Sequence, residues 1–276
     1  MTVIAMFSDK GSPGVTTLAL ALSATWPREV TIAECDPAGG DLALRLTDEL
    51  GRPQLAAGSG LLALAAAARR DSARALDEHA SPVPGLPNVS VVTGLTTPEQ
   101  GTGIVELWPA IAAALSEPGR RDVLADLGRL HPGSPAAAIA AAADVLVGVA
   151  RGDAVGVLRM RDRLHCLLDT LPEEVGVARR AVVVLIVDDR HGADEVSSMR
   201  AVLDHARVPA AVLGYLAHDP GAVHALQQGR PGPRVERSLL LRSARYLATE
   251  LVAPVEPPPV AEAGPRNRLA SLVRSR

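Results

Sequence analysis

The sequence predicts an α/β protein: a doubly wound, mostly parallel sheet with helices on both faces. Three observations carry that prediction. Seven short apolar runs, rich in β-branched residues, alternate with helix-like segments. Several of these runs lack the polar alternation of a half-exposed strand, which is what a parallel sheet covered on both faces requires. The order strand, helix, strand, helix then calls for right-handed crossovers that lay the helices over the two faces.

Taken in order, the first strand is expected at 2–8, "TVIAMFS", an uncharged run that ends at a glycine-rich loop; a helix over 16–25 follows. The run "EVTIAE" predicts a strand at 29–34, and the Ala- and Leu-rich stretch after it a helix over 59–70. The mixed-charge segment "RRDSARALDEHA", 69–80, reads as a solvated helix face. Further strands are expected at 88–94, 122–128, 144–150, 181–187 and 210–216. Helices are expected over 103–115, 134–142, 153–171, 193–206, 220–228 and 236–252. In such a fold a ligand sits beyond the carboxyl ends of the strands, where the loops 9–16, 35–41, 127–133 and 188–192 are expected to converge. Asp122, at a strand start, is expected to face solvent.

Composition narrows the function. At 276 residues the chain is long enough for one large α/β domain with a tail. Hydrophobic residues make up 47% and aromatic residues 2%, so the core must be built from Ala, Val and Leu. A formal charge of −3 argues against a globally basic nucleic-acid binder and leaves local basic patches open. Cys35 and Cys166 stand far apart without metal-type spacing, which argues against a disulfide framework or a zinc site. The seven histidines show no i, i+4 ligand pair. The longest apolar stretch, "PAAAIAAAADVLVGVA", is interrupted by Asp144 and falls short of the ~20 residues that span a bilayer. With no signal-type segment at the N-terminus, the expectation is a soluble cytoplasmic protein. The expected organisation is one domain over 1–253, a proline-rich linker over 254–265 and a basic tail over 266–276.

The segment "DKGSPGVTT", 9–17, lies between the first strand and the first helix. Gly11 and Gly14 let backbone amides turn inward, and the helix N-terminus adds its dipole, so the segment is built to hold an anion. The usual phosphate-binding pattern G-x-x-x-x-G-K-[ST] places a lysine on the β and γ phosphates and a hydroxyl on magnesium. Here Val15 stands at the lysine position and Thr16 at the hydroxyl position. Of the 28 basic residues only Lys10 is a lysine, and it falls in this loop. A compact ammonium is better suited than a planar guanidinium to a tight phosphate cradle.

"KGSPGVTT" resembles the deviant Walker A motif, K-G-G-x-G-K-[ST]-T, of the MinD/ParA family of P-loop ATPases. Lys10 matches the signature lysine that opens the motif, Gly11 and Gly14 its glycines, and Thr16 and Thr17 its terminal pair. Ser12 departs mildly and Val15 seriously. "ECDPAGGDLALRL", from Glu34, is similar to the family's D-x-D-P-x-G-N switch segment, with Asp36 at the water-positioning aspartate and Glu34 replacing the first. "RDVLADLGRL" resembles the strand that ends in a magnesium-linked aspartate, here Asp126, followed by Gly128; it is one residue shorter than usual. "VLGYLAHDP" is similar to the "GxIPxD" segment, with Gly214 and Asp219 matching.

The resemblance implies a P-loop fold and a set of site residues. Lys10, Gly11, Ser12, Gly14, Val15, Thr16, Thr17 and Asp188 form the ATP-binding set; Thr16, Asp36 and Asp126 hold Mg2+; Asp36 is catalytic. Asp188, at the end of a buried strand, falls where the family reads adenine with asparagine. Its alternative is an exposed loop charge, and adenine and guanine both stay open. Arg129 is within reach of a phosphate and would partly replace the missing lysine; the alternative is an ordinary surface arginine. Losing the phosphate lysine removes contacts worth ~1.5–3 kcal/mol each, which binding survives better than hydrolysis does.

Two functional classes therefore stand against each other. One is a nucleotide-dependent positioning or partitioning switch serving chromosome, division or secretion machinery, with weak or absent hydrolysis. The other is a pseudo-ATPase adaptor that binds protein partners without turnover. Biosynthetic relatives need the missing lysine, and iron-protein relatives need cysteines this chain lacks. The signature lysine of the family contacts phosphate across a dimer interface, so a homodimer is implied. In the tail "RNRLASLVRSR", Leu269, Leu272 and Val273 fall at helical spacing among four arginines, similar to the membrane anchor of MinD. A disordered basic terminus and a contact with DNA phosphates are the alternatives there.

Overall fold

The computed structural model describes residues 1–10, 13–48, 50–55, 60–171, 180–229 and 232–253. Gly11, Ser12, the linker 254–265 and the tail 266–276 lie outside them. Among the described residues, eight strands and twelve α-helices follow one another. They run β1 Val3–Ser8, α1 Val15–Ser23, β2 Val30–Glu34, α2 Leu42–Arg45, α3 Leu61–Ala68, α4 Ser72–His79, β3 Ser81–Val83 and β4 Leu86–Val92. After these come α5 Pro98–Gly103, α6 Trp108–Ser116, β5 Asp122–Arg129, α7 Ala137–Ala142, β6 Val145–Arg151, α8 Ala154–Thr170 and β7 Arg180–Val187. The chain continues through α9 Gly192–Ala206, β8 Ala211–Ala217, α10 Pro220–Gln227, α11 Pro233–Glu236 and α12 Leu239–Val252.

The strands form a single sheet in the order β3-β4-β2-β5-β1-β6-β7-β8, parallel throughout except for the β3/β4 pair. All seven expected strands are present within a residue of their expected bounds or, for β4, two. The strand the sequence reading missed is β3. Pro82 sits inside it and cannot donate to a ladder, which demotes a run in sequence but is tolerated at an edge, where β3 lies. A turn through Gly85, whose φ of +76° suits glycine, reverses the chain into β4.

Each strand alternates its side chains between two apolar layers. Val3, Ala5 and Phe7 of β1 enter one layer with residues of α3, α6, α8 and α9. Ile4 and Met6 enter the other with residues of α1, α10 and α12. The expected helix over 103–115 is α6, starting only at Trp108 after a 3-10 turn over Val105–Leu107, with a separate short helix, α5, before it. Pro98 opens α5 behind a Thr97/Gln100 capping box, and Pro109 in the first turn of α6 starts a new helix because it cannot donate to the preceding turn. Ser238 likewise caps α12, accepting from Leu241 N, and separates it from α11. No helix among the described residues is long and apolar enough to cross a membrane.

Asp122 does not face solvent. It is 2% exposed, and Oδ1 accepts from the Thr2 N–H while Oδ2 accepts from Trp26 Nε1 and from Arg28, whose Nη2 is 2.8 Å away. A charge at a strand start reads as exposed until tertiary packing brings donors from residues 2, 26 and 28 around it. Asp144, although exposed, also accepts from a strand-start amide on the far side of β1, the Val3 N–H at 2.7 Å. Both carboxylates secure the amino end of the sheet, opposite the site described next. Neither cysteine is bridged: Cys35 is buried and Cys166 exposed.

Candidate nucleotide site

The loop after β1 emerges between β5 and β6, at the central strand of the sheet. Gly14 carries φ +125° and serves as N-cap of α1 without a capping side chain, and no acidic residue stands in the first turn. The first amides of α1 are therefore left to an incoming anion. Val15, the first residue of the helix, is 5% exposed and belongs to the apolar layer beneath the loop. It supplies no charge.

Strand parity places the acids. Glu34 and Asp126 are register partners on β2 and β5, and both point to the α1 face. Thr16 Oγ1 donates to Asp126 Oδ2 at 2.5 Å, joining the first turn of α1 to the end of β5. Asp126 Oδ1 accepts from the Gly128 N–H. Gly128, at φ +59°, turns the chain so closely under Asp36 that a Cβ there would overlap its carboxylate. Asp36 Oδ1 accepts from the Ala38 N–H at 2.8 Å. Burial raises the Asp36 carboxyl above its ordinary range.

Glu34 proves to be structural. Oε1 accepts from the N–H groups of Asp41 and Leu42, and Oε2 from that of Gly94 at 3.0 Å, so one buried carboxylate ties the start of α2 to the end of β4. Its burial pushes its pKa up despite these bonds. Gly40 must lack a side chain, since a Cβ would lie 2.6 Å from Glu34 Oε2.

Together these elements line a cleft of about 470 Å3 formed by Ser8, Gly14, Val15, Thr16, Thr17, Asp36, Ala38, Arg45, Asp126, Gly128 and Arg129. Three of the four loops expected to converge do so. The segment 188–192 does not line it, because β7 lies two strands from β1, roughly 10 Å at the usual strand spacing. Asp188 has its carboxylate held by Arg190 through Nε and Nη2 and by the Arg190 N–H, which keeps its pKa well below the ordinary range. Reading a base there would require exchanging that partner.

Lys10 is also outside this cleft. Asp9 pairs with Arg163 at 2.7 Å and with Arg159 at 3.6 Å, so the start of the loop is drawn toward α8. Lys10 is exposed and lines a neighbouring cleft of about 560 Å3 with Val149, Arg151, Asp153 and Val155. The Asp9–Arg163 link joins residues 154 apart in sequence, and no local signal announces it.

Asp126 is lifted to about 6 by burial and by the neighbouring charges of Glu34 and Asp36, against hydrogen bonds from Thr16 and Gly128. Its unfolded value is near 3.8, so the folded protein holds this proton more tightly. The associated stability is fully present below about pH 4 and lost as pH rises through about 6, a change of about 3 kcal/mol. In denaturant titrations without divalent cations, the wild type is expected to lose that amount between pH 4 and pH 7 relative to Asp126→Asn. Parallel pH profiles for the two proteins would contradict it.

Oxygen donors alone, from a hydroxyl and carboxylates, suit a hard cation such as Mg2+. Among the described residues no group of three or more His, Cys, Asp or Glu side chains could hold a metal by itself. Mg2+ ordinarily takes one or two carboxylates and completes its shell with phosphates and water, so Thr16, Asp36 and Asp126 fit that use.

No protein-family model matches the chain, and neither does any curated protein. Solved structures do. MinD from Pyrococcus horikoshii OT3, complexed with Mg-ADP, superposes with a TM-score of 0.67 at 16% identity, covering 91% of this chain and 96% of that one. The ParA family ATPase from Chlorobium tepidum TLS gives 0.65 at 16% identity, with 90% and 98% covered. A chain of the MinC:MinD cell division protein complex of Aquifex aeolicus gives 0.64 at 15%, with 93% and 98% covered. In its eight-stranded, mostly parallel sheet and the helices on its two faces, this chain has the fold of the MinD and ParA ATPases.

Proposed function

We propose that the chain binds a nucleoside triphosphate with Mg2+ in the cleft after β1 and acts as a positioning or partitioning switch that hydrolyses nucleotide slowly or not at all. The observation that carries this reading is the Thr16–Asp126 hydrogen bond at 2.5 Å beneath the uncapped N-terminus of α1. A buried carboxylate and a hydroxyl are thereby held beside an anion site. Mg2+, when bound, would neutralise phosphate charge there, held by Thr16, Asp126 and Asp36. The amides of α1 bind phosphate oxygens. Asp36 lines the cleft and its Oδ2 takes no hydrogen bond among the described residues, so this carboxylate would orient a water. With Val15 at the lysine position, turnover is slow, because phosphoryl transfer depends on positioned charge.

Lys10 supports a homodimer. It is directed away from its own phosphate cleft, which leaves it to serve a neighbouring copy. The MinC:MinD complex is a precedent for a protein partner on this fold. Calorimetry of the full chain with ATP and with GTP tests the reading: micromolar to sub-millimolar binding that requires Mg2+ is expected, with sedimentation showing a dimer that tightens with nucleotide. No binding of either at millimolar concentration would leave the adaptor reading in its place.

A further inference from the structure

We infer that Arg45 and Arg129 form a clamp for the phosphate chain of the nucleotide, taking over from the opposite wall the charge that Val15 cannot supply. The inference rests on the nucleotide reading above and names the residues that make it work.

The cleft is electrically divided. Its inner wall carries Asp36 and Asp126, with Glu34 buried behind them, and the cations on its lining are Arg45 and Arg129. Lys10, the single lysine of the chain, lines the neighbouring cleft instead. A metal-bound polyphosphate has the complementary polarity: the cation turns toward the carboxylates and the outer phosphate oxygens toward the guanidinium groups. Arginine offers a planar fork of donors that matches phosphate oxygens in pairs.

Each arginine is delivered to the cleft by a specific device. Arg45 ends α2, whose N-cap and first amides, those of Asp41 and Leu42, are held by the buried Glu34 carboxylate, so Glu34 positions the helix that carries it. Its present partner is Asp41, 2.8 Å away and i, i+4 on the surface, with side chains 45% and 62% exposed. Exposed pairs of that kind are weak, so exchange of Asp41 for a phosphate is readily favourable. Arg129 follows Gly128, whose left-handed conformation turns the chain close against Asp36, and Arg129 itself is exposed at the cleft. The Arg129 side chain makes no hydrogen bond or ion pair among the described residues, and its charge is felt by Asp36. A side chain available at the rim of an anion cleft requires no unfolding or repacking to engage a ligand.

The test is the affinity of the full chain for Mg-ATP by calorimetry. Arg45→Ala and Arg129→Ala are each expected to weaken binding 10- to 100-fold, and Arg129→Lys less, since it keeps the charge and loses the fork. Val15→Lys placed in the Arg129→Ala background is expected to recover at least tenfold. Arg120→Ala, at an exposed arginine before β5 and so at the other end of the strands, is expected to change nothing. Both arginines are exposed, so the variants should fold, and circular dichroism melts would verify it. If the wild type binds Mg-ATP and both alanine variants bind within twofold of it, the clamp is overturned while the nucleotide reading stands. If the wild type binds neither ATP nor GTP, both fall.

Discussion

Replacing Asp122 with alanine is expected to destabilise the protein by about 3–5 kcal/mol, the range for removing one partner of a buried charged network. The carboxylate is 2% exposed and accepts from Thr2 N, Trp26 Nε1 and Arg28. Deleting it strands the indole N–H of a tryptophan that is itself 6% exposed, releases the amide that starts β1, and leaves the Arg28 charge without its partner. Asn at this position should lose less, because its carbonyl still accepts one of those bonds. Urea or guanidinium denaturation measures the difference. A loss under 1 kcal/mol for the alanine variant would mean that water replaces the carboxylate freely and that the network is incidental. Nucleotide binding by the same variant, measured where it is still folded, should be unchanged, since the site lies at the other end of the strands.

Val15→Lys is expected to tighten triphosphate binding 10- to 100-fold, equivalent to the ~1.5–3 kcal/mol of a charged hydrogen bond. The position is the first residue of α1 and lines the cleft, while its side chain is 5% exposed and belongs to the apolar layer. A lysine can lay its methylene stem over the same surface and turn its ammonium into the cleft, so the fold should tolerate the change. In the free protein the ammonium would meet Asp36 and Asp126, which favours retention of their charge and lowers the Asp126 pKa. Calorimetry reads the affinity, and a phosphate-release assay shows whether slow hydrolysis appears with it. Affinity equal to the parent would show that the loop is not a phosphate cradle, whatever the arginines do.

Some of the site was legible from local pattern. Gly14, Thr16 and Thr17 lie on one loop and its helix, so their spacing alone brings them together. Asp36 and Asp126 each end an apolar run, and two parallel strands that end side by side place such residues at one rim. The functions of Glu34 and Arg45 were not legible. Glu34 carries a charge in a motif position, yet it bonds to amides seven, eight and sixty residues away. Arg45 had no distinguishing neighbour in sequence, and it enters the cleft because those bonds orient a four-residue helix too short to be recognised by periodicity. Asp188 was placed at the right strand end, and a partner two residues on, Arg190, proved to hold its carboxylate.

The sequence by itself determined the fold class, the seven parallel strands and the glycine-bearing loop between the first strand and the first helix. Those follow from hydrophobic periodicity, from continuous apolar runs that only a sheet covered on both faces can bury, and from glycines at a strand-to-helix turn. Tertiary structure alone decided the antiparallel edge at β3, the burial of Asp122, the direction of Lys10 and the company that Arg45 and Arg129 keep. The burial of Asp122 and the course of the loop that carries Lys10 depend on pairs 94 to 154 residues apart, the helix that carries Arg45 on a carboxylate that also holds an amide sixty residues away, and β3 on the edge of the sheet it occupies. A side chain's charge is written in its own residue, whereas its burial and partners are properties of the packed sheet, and it is those that set whether a carboxylate, like Glu34, supports the fold or, like Asp36, lines the cleft.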